Sequence, residues 1–219
     1  MVFQILIIES GRDLFNSLFA TTFERYQGFT LVELAIVLVI IGIILGAVLK
    51  GQELITNAKT KRTYNLQREV FAAIYTYVDK YTKLPGDDNT VAGRTGFGGL
   101  YSGGNGDGLI DPAVAGGVDF ACVSPASSES CGLWEHLRAS NIIGGSLPAN
   151  PANPFGGAVG VGYEAVQGLA ANWIGMTNIP PDIGQSLDTL YDDGLYDAGT
   201  IRAGAVYTSA TPLNLYFKL

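Results

Sequence analysis

The stretch YQGFTLVELAIVLVIIGIILGAVLKGQELI, Tyr26 to Ile55, decides how this chain is organised. From Phe29 to Leu49 it runs 21 residues with one ionisable side chain, Glu33. About 20 apolar residues cross a bilayer core, so the length suits a membrane span. A carboxylate in such a span is costly and usually marks function, because few groups in lipid solvate it. Glu33 lies near the end of the run, where a carboxylate reaches the headgroups. A structural role as a snorkelling side chain and a functional role with a cationic partner both fit that position.

Outward from the span, the apolar residues Leu66, Val70, Ala73, Ile74, Tyr77 and Tyr81 recur at helical spacing among polar ones. Proline is absent from Phe29 to Leu84, and Leu84-Pro85-Gly86-Asp87 is a stop. The pattern predicts one helix from about Thr30 to Lys83, roughly 80 Å long at 1.5 Å per residue. Residues 29–49 form its membrane-spanning half, and an amphipathic half follows. Residues 1–28 read as a leader and residues 84–219 as a head outside the cytoplasm. The head is rich in glycine and in turns. Strands are expected at Gly157 to Val166, Ala171 to Thr177 and Thr200 to Thr208, with short helices at Cys131 to Ile143 and Ser186 to Asp193. The fold class is α+β: a long N-terminal helix packed on a small, loop-rich, antiparallel-sheet head.

Charge divides along the same line. The chain has 219 residues and a net charge of −7. Between Lys50 and Lys83 seven bases face three acids, a net of +4, and from Leu84 onward four bases face thirteen acids, a net of −9. The overall acidity argues against direct nucleic-acid binding, which needs clustered Lys and Arg. In an assembly, a basic stem and an acidic head would meet neighbours differently. The two cysteines, Cys122 and Cys131, are expected to form a disulfide, as suits a domain outside the cytoplasm; two buried thiols are the alternative.

Two acidic stretches are candidate calcium loops. In GGNGDGLID, the residues Asn105, Asp107 and Asp111 alternate around Gly108, as oxygen ligands do in such loops. The ordinary alternative is an Asx/Gly turn. Asp188, Asp192, Asp193 and Asp197 form the second stretch, with a solvated acidic helix end as its alternative. Catalysis has little to draw on. His136 is the single histidine, read as lying on the polar side of its helix, and no phosphate-binding loop or nucleophile elbow is present. Trp134 and Trp173 read as core residues. The expectation is a protein that is not an enzyme, with calcium as the one cofactor its residues suggest.

The segment Gly28-Phe29-Thr30-Leu31-Val32-Glu33-Leu34, followed by an unbroken apolar helix, resembles the processing site of type IV pilins and of type II secretion pseudopilins. The resemblance covers some thirty residues. It implies cleavage between Gly28 and Phe29 by a prepilin peptidase and N-methylation of Phe29. Glu33 would then register one subunit against the next, with Gly42 and Gly46 allowing close packing or local melting of the helix. It also implies a structural subunit of a type IV pilus, major or minor, whose partners are copies of itself or other pilins and the inner-membrane assembly platform. Before assembly the subunit would sit in the inner membrane with its head in the periplasm. Afterwards it would belong to a surface or periplasm-spanning filament. The alternatives are a pseudopilin of type II secretion and a single-span, calcium-stabilised binding domain. The leader departs from the family pattern in its length and its apolar start, and no proline follows the cut at about twenty residues.

Overall fold

In a computed structural model, residues 28–113, 117–123 and 126–219 are described. The leader expected over residues 1–28 lies outside them except for Gly28. The chain divides into two units at Gly51/Gln52.

The first unit is the N-terminal part of helix α1, which runs Leu31–Tyr81 over 51 residues. Every side chain from Leu31 to Leu49 is exposed, Leu31 at 86% and Ile43 at 68%. Among the described residues this helix alone is long and apolar enough to cross a membrane. A single chain covers none of this surface, and so broad an apolar face in water would drive association.

In the second unit, the rest of α1 buries Thr63, Val70, Ala73, Ile74 and Tyr77. Leu66 and Tyr81 pack half-buried on the same core. The expected stripe is therefore the one that packs, extended one turn earlier by Thr63. The helix ends where Thr82 takes φ 58° and Pro85 follows. Helices α2 (Glu129–Ala139) and α3 (Pro181–Tyr191) are the two short helices. Strands β1 (Val159–Val166), β2 (Leu169–Ile179), β3 (Ile201–Ala203) and β4 (Leu213–Lys218) form one antiparallel sheet in the order β1-β2-β4-β3. The β1–β2 hairpin turns through Gln167 and Gly168, both at positive φ (47° and 79°). Right-twisted strands favour that backbone at a two-residue turn.

The sheet has two packed faces. Val159, Val161, Ile174, Met176, Leu215 and Phe217 join the main core with α1 and α2. On the other face, Trp173, Val166 and Tyr216 pack with Val118 and Phe120. Gly160 and Gly175 are cross-strand partners, and a Cβ on Gly175 would stand 2.7 Å from the Phe120 ring. The bare glycine pair is what lets that loop lie on the sheet. The loop is fastened by the Cys122–Cys131 disulfide, with Cα atoms 5.3 Å apart.

Several expectations need correction. The last strand is not Thr200 to Thr208. Only Ile201–Ala203 pairs, because the chain turns at Gly204 and Tyr207 leaves the sheet to bond Asp188. The true closing strand is β4, which lies between β2 and β3. Both short helices begin earlier than expected, α2 at Glu129 behind an N-cap from Ser128 and α3 at Pro181, a residue suited to a first helical turn. Trp134 and Trp173 are core residues, 1% and 0% exposed. His136 is fully buried rather than on a polar helix face.

Candidate functional site

Gly28, Phe29 and Thr30 precede the helix, are not helical, and are exposed, Phe29 at 79%. Helix α1 starts immediately afterwards for a local chemical reason. The first turn of a helix has N–H groups with no partner inside the helix. Here Thr30 and Glu33 supply partners to each other. The Glu33 N–H donates to Thr30 Oγ1 at 3.2 Å. Glu33 Oε2 accepts from the Thr30 N–H and from the Thr30 hydroxyl, each at 2.8 Å. The Thr30 carbonyl accepts the first helical bond, from the Leu34 N–H, at 3.2 Å. This is a capping box, with Thr30 as N-cap and Glu33 at the third helical position. The carboxylate also sits at the positive end of the helix dipole. Thr-x-x-Glu is legible in the sequence; the apolar setting drew the sequence reading to membrane cost instead.

Gly42 and Gly46 lie on the exposed half of α1, and a Cβ on either would meet nothing within 4 Å in the single chain.

The candidate calcium residues are engaged with the backbone. Asn105 Oδ1 accepts from the Asp107 N–H at 2.8 Å, and Asp107 Oδ1 from the Leu109 N–H at 2.9 Å. Asp87 accepts from the N–H groups of Gly106 and Gly108. Glu129 accepts from those of Asn105 and Asp111, at 3.1 and 2.9 Å. The Asp111 carboxylate is half-buried at the same loop. Asp87 and Glu129, both buried, thus hold this loop by its N–H donors, and within it Asn105 and Asp107 each close an Asx turn on the N–H two residues on. Burial raises the Glu129 pKa above its ordinary value, with Asp87 and Asp111 adding to the rise, while the bonds from Asp111 and Asn105 oppose it.

In the second acidic stretch, Asp188, Asp192 and Asp193 bring one oxygen each within 4.8 Å of one another; Asp197 is not in that group. Asp188 is fully buried and accepts from the Tyr207 hydroxyl at 2.7 Å and the Gly194 N–H at 3.1 Å. Burial raises its pKa, Asp192 and Asp193 adding to the effect. Asp192 accepts from the Ile201 N–H at 2.8 Å, which ties α3 to β3.

The buried groups near α2 serve the fold. The Gly86 N–H donates to His136 Nδ1 at 2.9 Å, so the ring proton sits on Nε2, which donates to the Tyr101 carbonyl at 2.7 Å. With both nitrogens committed, His136 has no atom left to act as a base on a substrate. Asp88, fully buried, accepts from Tyr77, Thr90 and Arg94. In the sequence Asp87 and Asp88 read only as distant ligands completing the calcium loop, and Glu129 was missed, because the donors it binds lie 18 and 24 residues away.

No curated protein and no solved structure matches the chain. One family model does, described as the prokaryotic N-terminal methylation motif, over residues 25–49. Its span takes in Gly28, the capping box and the exposed apolar half of α1. Proteins with this motif are structural rather than catalytic, and a membrane-anchored, peptidase-processed pilin suits the apolar helix that follows. Over these residues the chain carries the prepilin-type motif of the type IV pilins and pseudopilins.

Proposed function

We propose that this chain is a structural subunit of a type IV pilus. A prepilin peptidase would cut it between Gly28 and Phe29 and methylate the new amine. Residues 29–49 would hold it in the inner membrane with the head in the periplasm. Copies of the chain, alone or with other pilins, would then assemble into a helical filament by heterologous contacts. The observation that carries this reading is the coincidence of the methylation motif with a helix whose first 19 residues, Leu31 to Leu49, are apolar but for Glu33 and wholly exposed. Such a surface needs lipid before assembly and other helices after it.

Glu33 supplies the register. Once the chain is cut, the amine of Phe29 is a cation four residues before this carboxylate. In a bundle of parallel helices, pairing the amine of one subunit with Glu33 of the next neutralises two charges at one axial offset and leaves them unpaired at others. Gly42 and Gly46 would let neighbouring helices approach closely at mid-span. The test is Glu33→Ala in the native host, read by cleavage and by sheared filament yield. Cleavage should persist, because Thr30 still caps the helix, and filament yield should collapse. Wild-type filament from the mutant would refute the registration role.

A further inference from the structure

The Thr30 hydroxyl has a consequence for the bond two residues before it, and the inference rests on the processing reading above. Cleavage adds water across the Gly28–Phe29 peptide, leaving a carboxylate on Gly28 and an amine on Phe29. The atom attacked is the Gly28 carbonyl carbon, so that carbonyl must be accessible to the peptidase. In a continuing α-helix each carbonyl accepts from the N–H four residues on. One further turn would tie the Phe29 carbonyl to the Glu33 N–H and the Gly28 carbonyl to the Val32 N–H. In the structure the first of these bonds is replaced: the Glu33 N–H goes to Thr30 Oγ1 at 3.2 Å. The helix therefore starts at Leu31, and the scissile dipeptide stays non-helical and exposed.

We propose that Thr30 is a positioning residue for processing: its side chain occupies the Glu33 N–H, the donor that would otherwise tie the Phe29 carbonyl into the helix, and so stops the helix before it reaches the scissile Gly28 carbonyl. Unpaired N–H groups are costly at a membrane boundary. Without the hydroxyl, the chain's own repair is to extend the helix backward over Phe29 and Gly28. The family model of the N-terminal methylation motif spans these same residues. Glu33 is the auxiliary half of the box and Thr30 the decisive half, since Thr30 alone satisfies the N–H of the third helical position.

The experiment uses the full chain in detergent micelles with a purified prepilin peptidase. The initial rate of release of the mature chain is measured for wild type, Thr30→Val and Thr30→Ser. Valine keeps the shape and branching of threonine and removes only the hydroxyl; serine keeps the hydroxyl. Thr30→Val should be cut about fivefold more slowly, the size of effect a lost N-cap carries, and Thr30→Ser at the wild-type rate. Backbone chemical shifts should show the helix reaching Phe29 in Thr30→Val alone. Equal rates for all three, or a slow Thr30→Val whose helix still starts at Leu31, would overturn the inference while leaving processing intact. A wild-type chain that the peptidase does not cut would overturn the processing reading and the inference with it.

Discussion

The phenol of Tyr77, on α1, donates to the carboxylate of Asp88 at 2.8 Å inside the head. Arg94 closes on the same carboxylate and also donates to the Tyr77 oxygen at 2.9 Å. The guanidinium lies 4.3 Å from the Tyr81 ring centroid. Tyr77, Asp88 and Arg94 thus fasten the last turns of the long helix to the loop that follows it. Removing one partner of a fully buried ion pair costs about 3–5 kcal/mol; here Asp88 is buried but Arg94 keeps 20% of its side chain exposed, which places the loss at the low end, about 3 kcal/mol. Asp88→Ala should lower head stability by about that much in urea unfolding at pH 7. Tyr77→Phe, which leaves the ion pair intact, should cost about 1–3 kcal/mol.

The same carboxylate sets an acid limit. Burial pushes the Asp88 pKa upward, but hydrogen bonds from Thr90 and Tyr77 and the charge of Arg94 outweigh it and hold the group below its ordinary 3.8. A depressed carboxylate contributes stability that is complete above its unfolded pKa and is lost as pH falls through the folded one. The Asp88→Ala penalty should therefore be near full at pH 5 and shrink below pH 3.8. Paired urea titrations of wild type and mutant across that interval measure it.

His136 acts in a higher window. Burial lowers its pKa from 6.5; the bond to Tyr101 and the charges of Asp88 and Glu135 oppose the shift, and Arg94 reinforces it. Below 6.5 the unfolded chain binds a proton that the folded one does not, so stability falls as pH drops through this range. A proton on Nδ1 would also face the Gly86 N–H. The buried Glu129 and Asp188, with raised pKa values, act in the opposite direction at lower pH. Melting temperatures at pH 7.5 and 5.5, compared between wild type and His136→Gln, isolate the histidine. The wild type should lose more stability between the two pH values than the mutant does.

Gly86 and Gly96 both take positive φ, 91° and 87°, but in different surroundings. A Cβ on Gly86 would stand 2.2 Å from the Glu129 carbonyl oxygen, whereas one on Gly96 would meet nothing within 4 Å. Gly96→Ala should cost only the conformational penalty, about 1 kcal/mol. Gly86→Ala must also move the loop off α2 and break the bond to His136, so it should cost at least about 3 kcal/mol. Chemical denaturation of the two variants tests the difference.

The stem was legible in the sequence because its signal is local: an apolar run, then Val70, Ala73, Ile74 and Tyr77 at helical spacing. The β1–β2 hairpin was legible through its Gly-ended turn. The third strand was expected at the right place but too long, and the fourth was missed. Ile201–Ala203 is too short to show a period, and Leu213–Lys218 inserts between β3, its neighbour in sequence, and the distant β2. His136 read as polar because its acceptor and donor partners are 35 and 50 residues away. Asp87 and Asp88 read as completing ligands of the calcium loop, and Glu129 had no reading; the donors that Asp87 and Glu129 bind lie 18–24 residues away. A carboxylate that binds backbone donors across the fold carries the same letter as a solvated one.

The measurement closest to the central claim is the mass of the N-terminal peptide of the protein recovered from its native membrane and sheared surface fractions. The account predicts a peptide that begins at N-methylated Phe29, present in the sheared filament fraction. A dominant peptide that still carries residues before Gly28 would contradict it, and the chain would then be an unprocessed, single-span anchored domain.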